Sequence, residues 1–408
     1  MLYMRIHLFS SREGWEMKEK RGSDRLGQWL RREKWSIVVL ILAAGLFLAA
    51  CLWLRPEAAD SAPAGDYVEY EKAVITAVLS DNTASDPASD GGWRGEQSLT
   101  AEIKSGQYAG QTMLVYNYVG PLNGVPVHEG DGVTLAISTY SSGEHRATVY
   151  EYNRIPALLA VAAVFFLITI LVGRGTGAKS LLALALTVLC LLRVLLPLLM
   201  RGAPTLPSVF LVCTFIAVVS FTILGGVHRK SVCATLGTVA GMALALLFGL
   251  LAQALTRVDG LRISDVEPLL QLRQMGTPIG LRGLLVGGVV ISALGAVMDV
   301  AMSISSALEE VHAANPALGL KALFRSGMNI GRDMVGTMTN TLILAFLGSG
   351  FTLILYLFSL GLPRYQLLSS AYVSIEVISG VASSTGMILA IPLTAFISAA
   401  LLARKKNK

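Results

Sequence analysis

The chain has little charge. Only 15% of its 408 residues are Asp, Glu, Lys or Arg, whereas 53% are hydrophobic. Several stretches of about 20 residues carry almost no charge, which is the length a helix needs to cross a hydrocarbon core about 30 Å thick. This shortage of charge excludes a soluble enzyme and indicates an α-helical polytopic membrane protein.

Cysteine and catalytic motifs are also scarce. The four cysteines all fall in predicted membrane spans, which excludes a disulfide framework in an external domain. The sequence has no HExxH and no GxSxG, so a zinc protease and a serine hydrolase of those types are excluded. An aspartyl intramembrane protease needs two facing acids, and Asp333 sits at the predicted membrane edge beside Arg332. Enzymatic activity is therefore not indicated, and we predict no cofactor.

Hydropathy divides the remaining chain into apolar spans and polar segments. We predict about eight spans, at residues 35–54, 155–173, 178–200, 205–227, 231–255, 282–308, 334–360 and 378–402. The first is long enough to serve as a retained signal anchor. The predicted domains are a basic N-terminus (1–34), the anchor (35–54), a polar domain (55–154), a seven-helix bundle (155–403) and a basic tail (404–408).

Basic residues set the expected orientation. Residues 1–34 hold nine Lys or Arg and residues 404–408 hold four, so an even span count places both termini in the cytoplasm. The three arginines of loop 256–281 oppose this rule. Arg12 to Gly14 can be encoded by a purine run resembling a bacterial ribosome-binding site before Met17, so either Met17 is the true start or residues 1–16 form a tail. We expect a bacterial cytoplasmic membrane.

Residues 55–154 have a β pattern instead. After a small-residue linker at 55–66, short alternating segments at 68–79, 98–104, 111–119, 133–139 and 147–152 predict five or six strands. Such a pattern favours a small barrel, OB-like in size, on the outer side of the membrane. The segment carries six basic and fourteen acidic residues, which argues against a nucleic-acid partner. No row of stacking aromatic residues is evident in the sequence.

Asp299 is the strongest functional candidate. It lies in the middle of an apolar span, where an ionised carboxylate costs at least about 2.5 kcal/mol. Ser303, Ser306 and Glu310 follow it at helical spacing and form one stripe. Such an acid is retained either for function or as a structural group bonded to Ser, Thr or Arg332, and both interpretations stay open.

A second polar stripe follows in the next span. After a predicted loop at 311–330, Asp333, Thr337, Asn340 and Thr341 fall on one helical face. Counting from the helix ends at 1.5 Å per residue puts Asp299 about 15 Å deep and Asn340 about 10–12 Å deep, so an antiparallel pair brings the stripes together. The candidate substrate or ion site is therefore Asp299, Ser303, Ser306, Arg332, Asp333, Thr337, Asn340 and Thr341. In the last span, Ser383, Ser384 and Gly386 are better explained by helix packing.

The two spans resemble a known family. The strings are GAVMDVAMSISSA at 295–307, Asn315-Pro316, SGMNIGRD at 326–333 and GTMTNTLILA at 336–345. They are similar to the YibE/F-like family of bacterial multispanning membrane proteins, whose layout of anchor, small β domain and bundle also matches. The resemblance implies a membrane location but supplies no activity.

Two functions remain for such a chain. One is a permease or ion-coupled transporter, because hard oxygen ligands suit H⁺, Na⁺ or a polar solute. The other is a scaffold or accessory subunit whose β domain recruits a partner. The expected partners are the lipid bilayer, a small solute or ion, and either a second copy of the chain or a second family member.

Overall fold

The computed structural model describes residues 35–54, 67–89, 91–121, 123–258 and 267–403. The predicted N-terminus, the linker at 55–66, the tail and the suggested start at Met17 lie outside these ranges. Two compact units divide the chain, one formed by residues 57–172 and the other by the rest. Each unit is described by itself.

Helices dominate the described chain. They are α1 (Trp35–Trp53), α2 (Ile155–Cys190), α3 (Leu196–Met200), α4 (Thr205–Gly225), α5 (Arg229–Thr256), α6 (Glu267–Gln274), α7 (Leu284–Ala314), α8 (Leu320–Ser349), α9 (Phe351–Ser359), α10 (Arg364–Leu368) and α11 (Ala371–Ala403). Within the described ranges, six helical stretches are long and apolar enough to cross a membrane, and the bent pair α8 and α9 brings the number to seven. The chain is therefore a membrane protein, and the exact number of crossings stays a prediction.

The second and third predicted spans lie in one helical stretch, Ile155–Met200. Its 46 residues are about 69 Å long at 1.5 Å per residue, more than twice the thickness of a hydrocarbon core. The backbone leaves helical geometry at Arg174, with φ 48° and ψ −131°, between the two predicted spans. A π-helical turn follows at Leu191–Leu195. Pro197 has no backbone N–H and cannot bond to the carbonyl of Arg193, four residues before it. The Arg193 side chain is exposed.

The predicted loop at 311–330 is wrong in extent. Only residues 315–319 separate α7 from α8, and α8 already begins at Leu320. Asn315 precedes Pro316, which disfavours helix and ends α7 there. Leu323 and Gly327 then bury one face of α8, so tertiary packing extends the helix over residues that the polar pattern assigned to a loop. The span predicted at 334–360 is broken, because α8 and α9 meet at an angle of 59° around Gly350.

Small residues bring the central helices of the bundle close together. Gly237 and Gly241 of α5 pack on Thr394 and Ala390 of α11, and Gly386 of α11 packs on Ala245 of α5. Helix α7 contacts both, and its serines bond to α11 at Ser292–Ser383 (2.8 Å) and Ser305–Ser398 (3.2 Å). Such contacts stabilise helices in lipid, where apolar side chains gain little by leaving the hydrocarbon. The packing interpretation of the last span agrees with this arrangement.

The polar segment forms a small β-barrel. Its strands are β1 (Tyr67–Asp81), β2 (Ala84–Asp86), β3 (Gly92–Ile103), β4 (Thr112–Val119), β5 (Gly132–Thr139) and β6 (His145–Tyr152). The order is β1-β5-β6-β4-β3-β2, and pairing of β1 with β3 closes the barrel. Alternation along β3 and β5 buries Leu99, Ala101, Ile103, Leu135 and Ile137 in one core. Closure pairs the backbone N–H and C=O groups that an open edge strand would leave free to pair with another chain.

A buried amide pair fixes one end of the barrel. Gln97 and Asn117 are almost fully buried, and the Asn117 Nδ2 donates to Gln97 Oε1 at 2.8 Å. Gln97 Nε2 donates in turn to Asp81 Oδ2 at 2.8 Å and to the Val127 carbonyl at 3.1 Å. Thr83 adds two bonds to Asp81 Oδ1, from its backbone N–H and its hydroxyl. Hydrogen bonds from the Thr83 side chain, the Thr83 backbone and then Gln97 hold the pKa of Asp81 below its ordinary value of 3.8.

We expect an isolated 66–152 fragment to give a β-type circular dichroism spectrum and to lose stability in acid partly through Asp81. A carboxyl whose folded pKa is depressed contributes stability above its unfolded pKa, and that contribution is lost as pH falls below about 3.8 toward the folded value. The melting temperature of Asp81→Asn should therefore fall less between pH 5 and pH 2 than that of the parent fragment. Glu129→Gln, an exposed acid without a side-chain hydrogen bond in the described domain, is the control; equal slopes for Asp81→Asn and parent contradict the prediction.

Candidate functional site

Asp299 occupies the centre of α7, a long apolar helix of the bundle core. It is fifteen residues from each end of α7. Its side chain is exposed, and it makes no hydrogen bond or ion pair with any residue that the structure describes. An acid at this depth cannot be solvated by headgroups, because α7 extends about 22 Å on either side of it. No partner for the Asp299 carboxylate is therefore present among the residues that the structure describes.

The exposed face of α7 around Asp299 is small and polar. Gly288, Gly295, Asp299, Ser303 and Glu310 are exposed along it, and Ser306 is half-buried. This α7 stripe contrasts with the rest of the helix, where thirteen residues are fully buried. Outward-facing positions in contact with lipid are normally apolar, so the stripe is typical of a helix face that meets protein, water or a solute.

The residues beside Asp299 pack into two different cores. Met298 and Met302 join the cluster that includes α4, whereas Ala296 and Val300 join the cluster that includes α8 and α11. Asp299 thus lies on the seam between these clusters. Both flanks of the seam are packed, which fixes the position of the α7 backbone at Asp299.

The second predicted stripe is exposed as well. Arg332, Asp333, Thr337, Asn340 and Thr341 of α8 all have exposed side chains. Two of the hydroxyls are used within the helix: Thr337 Oγ1 donates to the Met334 carbonyl at 3.2 Å, and Thr341 Oγ1 donates to the Thr337 carbonyl at 2.9 Å. Their lone pairs stay available as acceptors. No ion pair joins Arg332 or Asp333 to another residue of the described chain.

The register of α7 against α8 puts the two stripes at one level. A Cβ added to Gly327 would lie 3.0 Å from Leu308 Cδ1, and a Cβ added to Gly331 would lie 3.5 Å from Ile304 Cδ1. Four residues forward on α8 correspond to four residues back on α7, as an antiparallel pair requires. Continuing this register puts Asp299 at the same level along the helix axes as Gly336 and Thr337. The depth count from the helix ends used a wrong start for α8, but the register also puts Asp299 near the level of Thr337.

The oxygen groups at this level suit a hard cation or a protonated solute. Carboxylate, hydroxyl and amide oxygens are ligands that Na⁺ and similar ions prefer, and a lone carboxylate is also a proton carrier. The described ranges hold no group of three or more His, Cys, Asp or Glu side chains able to bind a metal ion. No hydrogen bond joins Asp299 to α8 in the described structure, so the predicted contact between the stripes stays a prediction.

The structure also reveals a tyrosine face that sequence reasoning missed. Tyr70 and Tyr150 stack edge to face with ring centroids 4.9 Å apart on the outside of the barrel. Arg146 donates to the Tyr118 hydroxyl at 2.7 Å and lies 5.6 Å from the Tyr116 ring centroid. These residues come from β1, β4 and β6, which only the barrel order makes neighbours. The outward alternation along Tyr116 and Tyr118 was the one available signal.

Together, a bundle of long apolar helices, a small β-barrel and an intramembrane acid on a rigid helix define a polytopic membrane protein with a candidate polar site. The chain belongs to the YibE/F-like protein family, whose model matches residues 161–404, more than half of its length. The match covers α7 and α8 and confirms the resemblance seen in their sequence. No curated protein and no solved structure matches the chain.

Proposed function

We propose that the protein is a permease or ion-coupled transporter whose site lies at the level of Asp299 between α7 and α8. The observation that supports it is the unpartnered carboxylate at the centre of a rigid apolar helix. Keeping an acid there costs about 2.5–3.5 kcal/mol on insertion scales, which a purely structural helix avoids with any apolar residue. Intramembrane acids of this kind commonly mark ion and proton pathways.

No described residue covers the α7 stripe, so a further protein surface is proposed to complete the site. Either a second copy of the chain or a second family member supplies this surface. A polar stripe on each chain would then face the other across an aqueous path, and Asp299 would be shielded from lipid on all sides. Broken helices are frequent in transporters, and the α8–α9 break lies on the same chain segment as the second stripe.

The test is a screen of the purified protein for ligand-dependent thermal stabilisation. H⁺, Na⁺, K⁺ and Mg²⁺ are varied one at a time, and any ion that stabilises is then followed as flux into proteoliposomes. Stabilisation by a bound ion grows with concentration as RT ln(1 + [L]/Kd) and keeps rising logarithmically above Kd. Absence of both stabilisation and flux for every ion and for a pH gradient contradicts the proposal.

The proposed topology has eight crossings with both termini in the cytoplasm and the barrel outside. Single cysteines at Ser85 and Asn407 should then react differently with a membrane-impermeant maleimide in intact cells: Ser85→Cys is labelled and Asn407→Cys is labelled only after lysis. Ser85 is an exposed barrel residue, and three of the four native cysteines are buried, which keeps the background low. Labelling of the tail in intact cells contradicts an even number of crossings.

The tyrosine face favours a second function, that of an accessory subunit whose barrel recruits a partner. Tyr70, Tyr118 and Tyr150 are 59%, 49% and 58% exposed, a large aromatic surface for a domain of this size. Tyrosine and arginine are the side chains that most often dominate binding energy at interfaces. Loss of function in Tyr118→Ser with ion-dependent stabilisation intact favours this second function over transport.

A further inference from the structure

The membrane unit holds an apolar cavity of about 320 Å³ away from Asp299. It lies between the end of α8, α9, α10 and the start of α11, has one open side, and follows from the 59° break between α8 and α9. Its volume is at the lower end of the range of about 300–1,000 Å³ that small-molecule sites occupy. The walls include Phe346, Leu357, Phe358, Val377 and Val381.

One acidic residue borders this otherwise apolar cavity. Glu376 lies in its wall and is the single acidic or basic residue there. Its Cδ is 3.4 Å from the position of a Cβ added to Gly350, so the carboxylate packs against the helix break. Glu376 is only partly exposed, and it forms no hydrogen bond and no ion pair with any residue in the described ranges. A carboxylate held among apolar walls without a counter-charge attracts a cation.

The aromatic residues favour the same ligand. Phe346 and Phe358 both line the cavity. Phenylalanine rings attract organic cations through their faces, most strongly where water is excluded. A neutral apolar molecule would gain from the walls alone, whereas a cation gains from the walls, the rings and Glu376.

We propose that this cavity binds a lipophilic monocation, an apolar molecule that carries one amine, quaternary ammonium or phosphonium group, with Glu376 as its counter-charge. The site is separate from the α7 and α8 stripes and does not depend on the transport proposal. Its apolar walls take the body of the ligand, and the carboxylate beside Gly350 takes its charge. The open side of the cavity allows entry from the membrane, where such molecules concentrate.

The test uses the full-length protein in nanodiscs and radiolabelled tetraphenylphosphonium in a binding assay, with empty nanodiscs subtracted. We expect saturable binding that Glu376→Gln weakens by roughly tenfold, equivalent to about 1.4 kcal/mol. Val381→Trp, which fills the cavity from a partly exposed wall position, should remove binding. Glu267→Gln on α6 and Leu389→Trp on the far part of α11 are matched controls that should bind like the parent protein.

Competition with triphenylmethanol, a neutral molecule with similar rings, separates charge recognition from apolar filling. The proposal predicts that it competes poorly against parent protein. Absence of saturable binding, full binding by Glu376→Gln, or equal binding of the neutral competitor each overturns it. If Glu376→Gln does not fold, the Val381→Trp result and the selectivity of the parent protein for the cation decide the matter by themselves.

Discussion

Replacing Asp299 with asparagine should remove ion- or proton-dependent stabilisation without lowering the melting temperature of the ligand-free protein. The first half of this expectation rests on the proposed function, and the second half rests on the structure. Asp299 has no hydrogen-bond or ion-pair partner among the described residues, so its removal leaves no buried group unsatisfied. Breaking a buried pair, in contrast, typically costs about 3–5 kcal/mol. A functional acid therefore predicts no fall in basal stability, whereas a structural acid predicts a large fall.

Asp299→Leu extends the comparison. Leucine has the opposite insertion preference at a helix centre, and the exchange favours the membrane-inserted helix by about 3 kcal/mol on insertion scales. We expect normal or higher expression and no response to any ion. Glu309→Gln, which neutralises an acid near the end of the same helix and off the α7 stripe, is the matched control. It should keep the parent response.

Melting followed by fluorescence-detected size exclusion checks both substitutions across pH and across Na⁺ concentration. A fall of many degrees in ligand-free Asp299→Asn would assign the acid to structure and leave the transport proposal without its main support. The way in which the melting temperature of the parent protein depends on pH and on Na⁺ distinguishes proton binding from cation binding. Proton binding gives a pH dependence that Na⁺ does not change, whereas cation binding gives stabilisation that grows with Na⁺ concentration.

Sequence periodicity was sufficient to predict the α7 stripe. The apolar pattern fixes the helix and its long buried face, and Asp299 and Ser303 then fall on the remaining face. The strands of the barrel follow from alternation in the same way. Both patterns are local, because side-chain direction repeats within a single element.

Features that depend on distant contacts could not be predicted. The start of α8 at Leu320 depends on packing of Leu323 and Gly327 against α7 and α11, which outweighs the polar residues around them. The tyrosine face requires the order β1-β5-β6-β4, and local alternation does not specify strand order. The cavity around Glu376 requires the bend at Gly350, and a glycine in an apolar run does not predict a break.

Gly386→Ala should strongly destabilise the bundle. A Cβ at this position would overlap the Ala245 Cβ and lie 3.0 Å from the Ala245 Cα and 3.3 Å from its backbone N. Backbone atoms cannot rotate away, so α5 and α11 would have to separate. Overpacking of a well-packed core costs about 1–3 kcal/mol, and here it disturbs the pair of helices on which α7 and α8 also pack.

Gly288→Ala on α7 is the matched control, because a Cβ there meets no described atom within 4 Å. Alanine also has the higher helix propensity, by about 1 kcal/mol in water, so this variant should melt at or above the parent temperature.

A second substitution then tests the contact itself. Ala245→Gly removes the opposing methyl group and should restore part of the stability lost in Gly386→Ala, with a coupling free energy of about 0.5–3 kcal/mol. Recovery stays partial because the Ala245 Cα remains close. Equal melting temperatures for Gly386→Ala and Gly288→Ala, or strictly additive effects in the double variant, would show that α5 and α11 do not approach as closely as the structure describes.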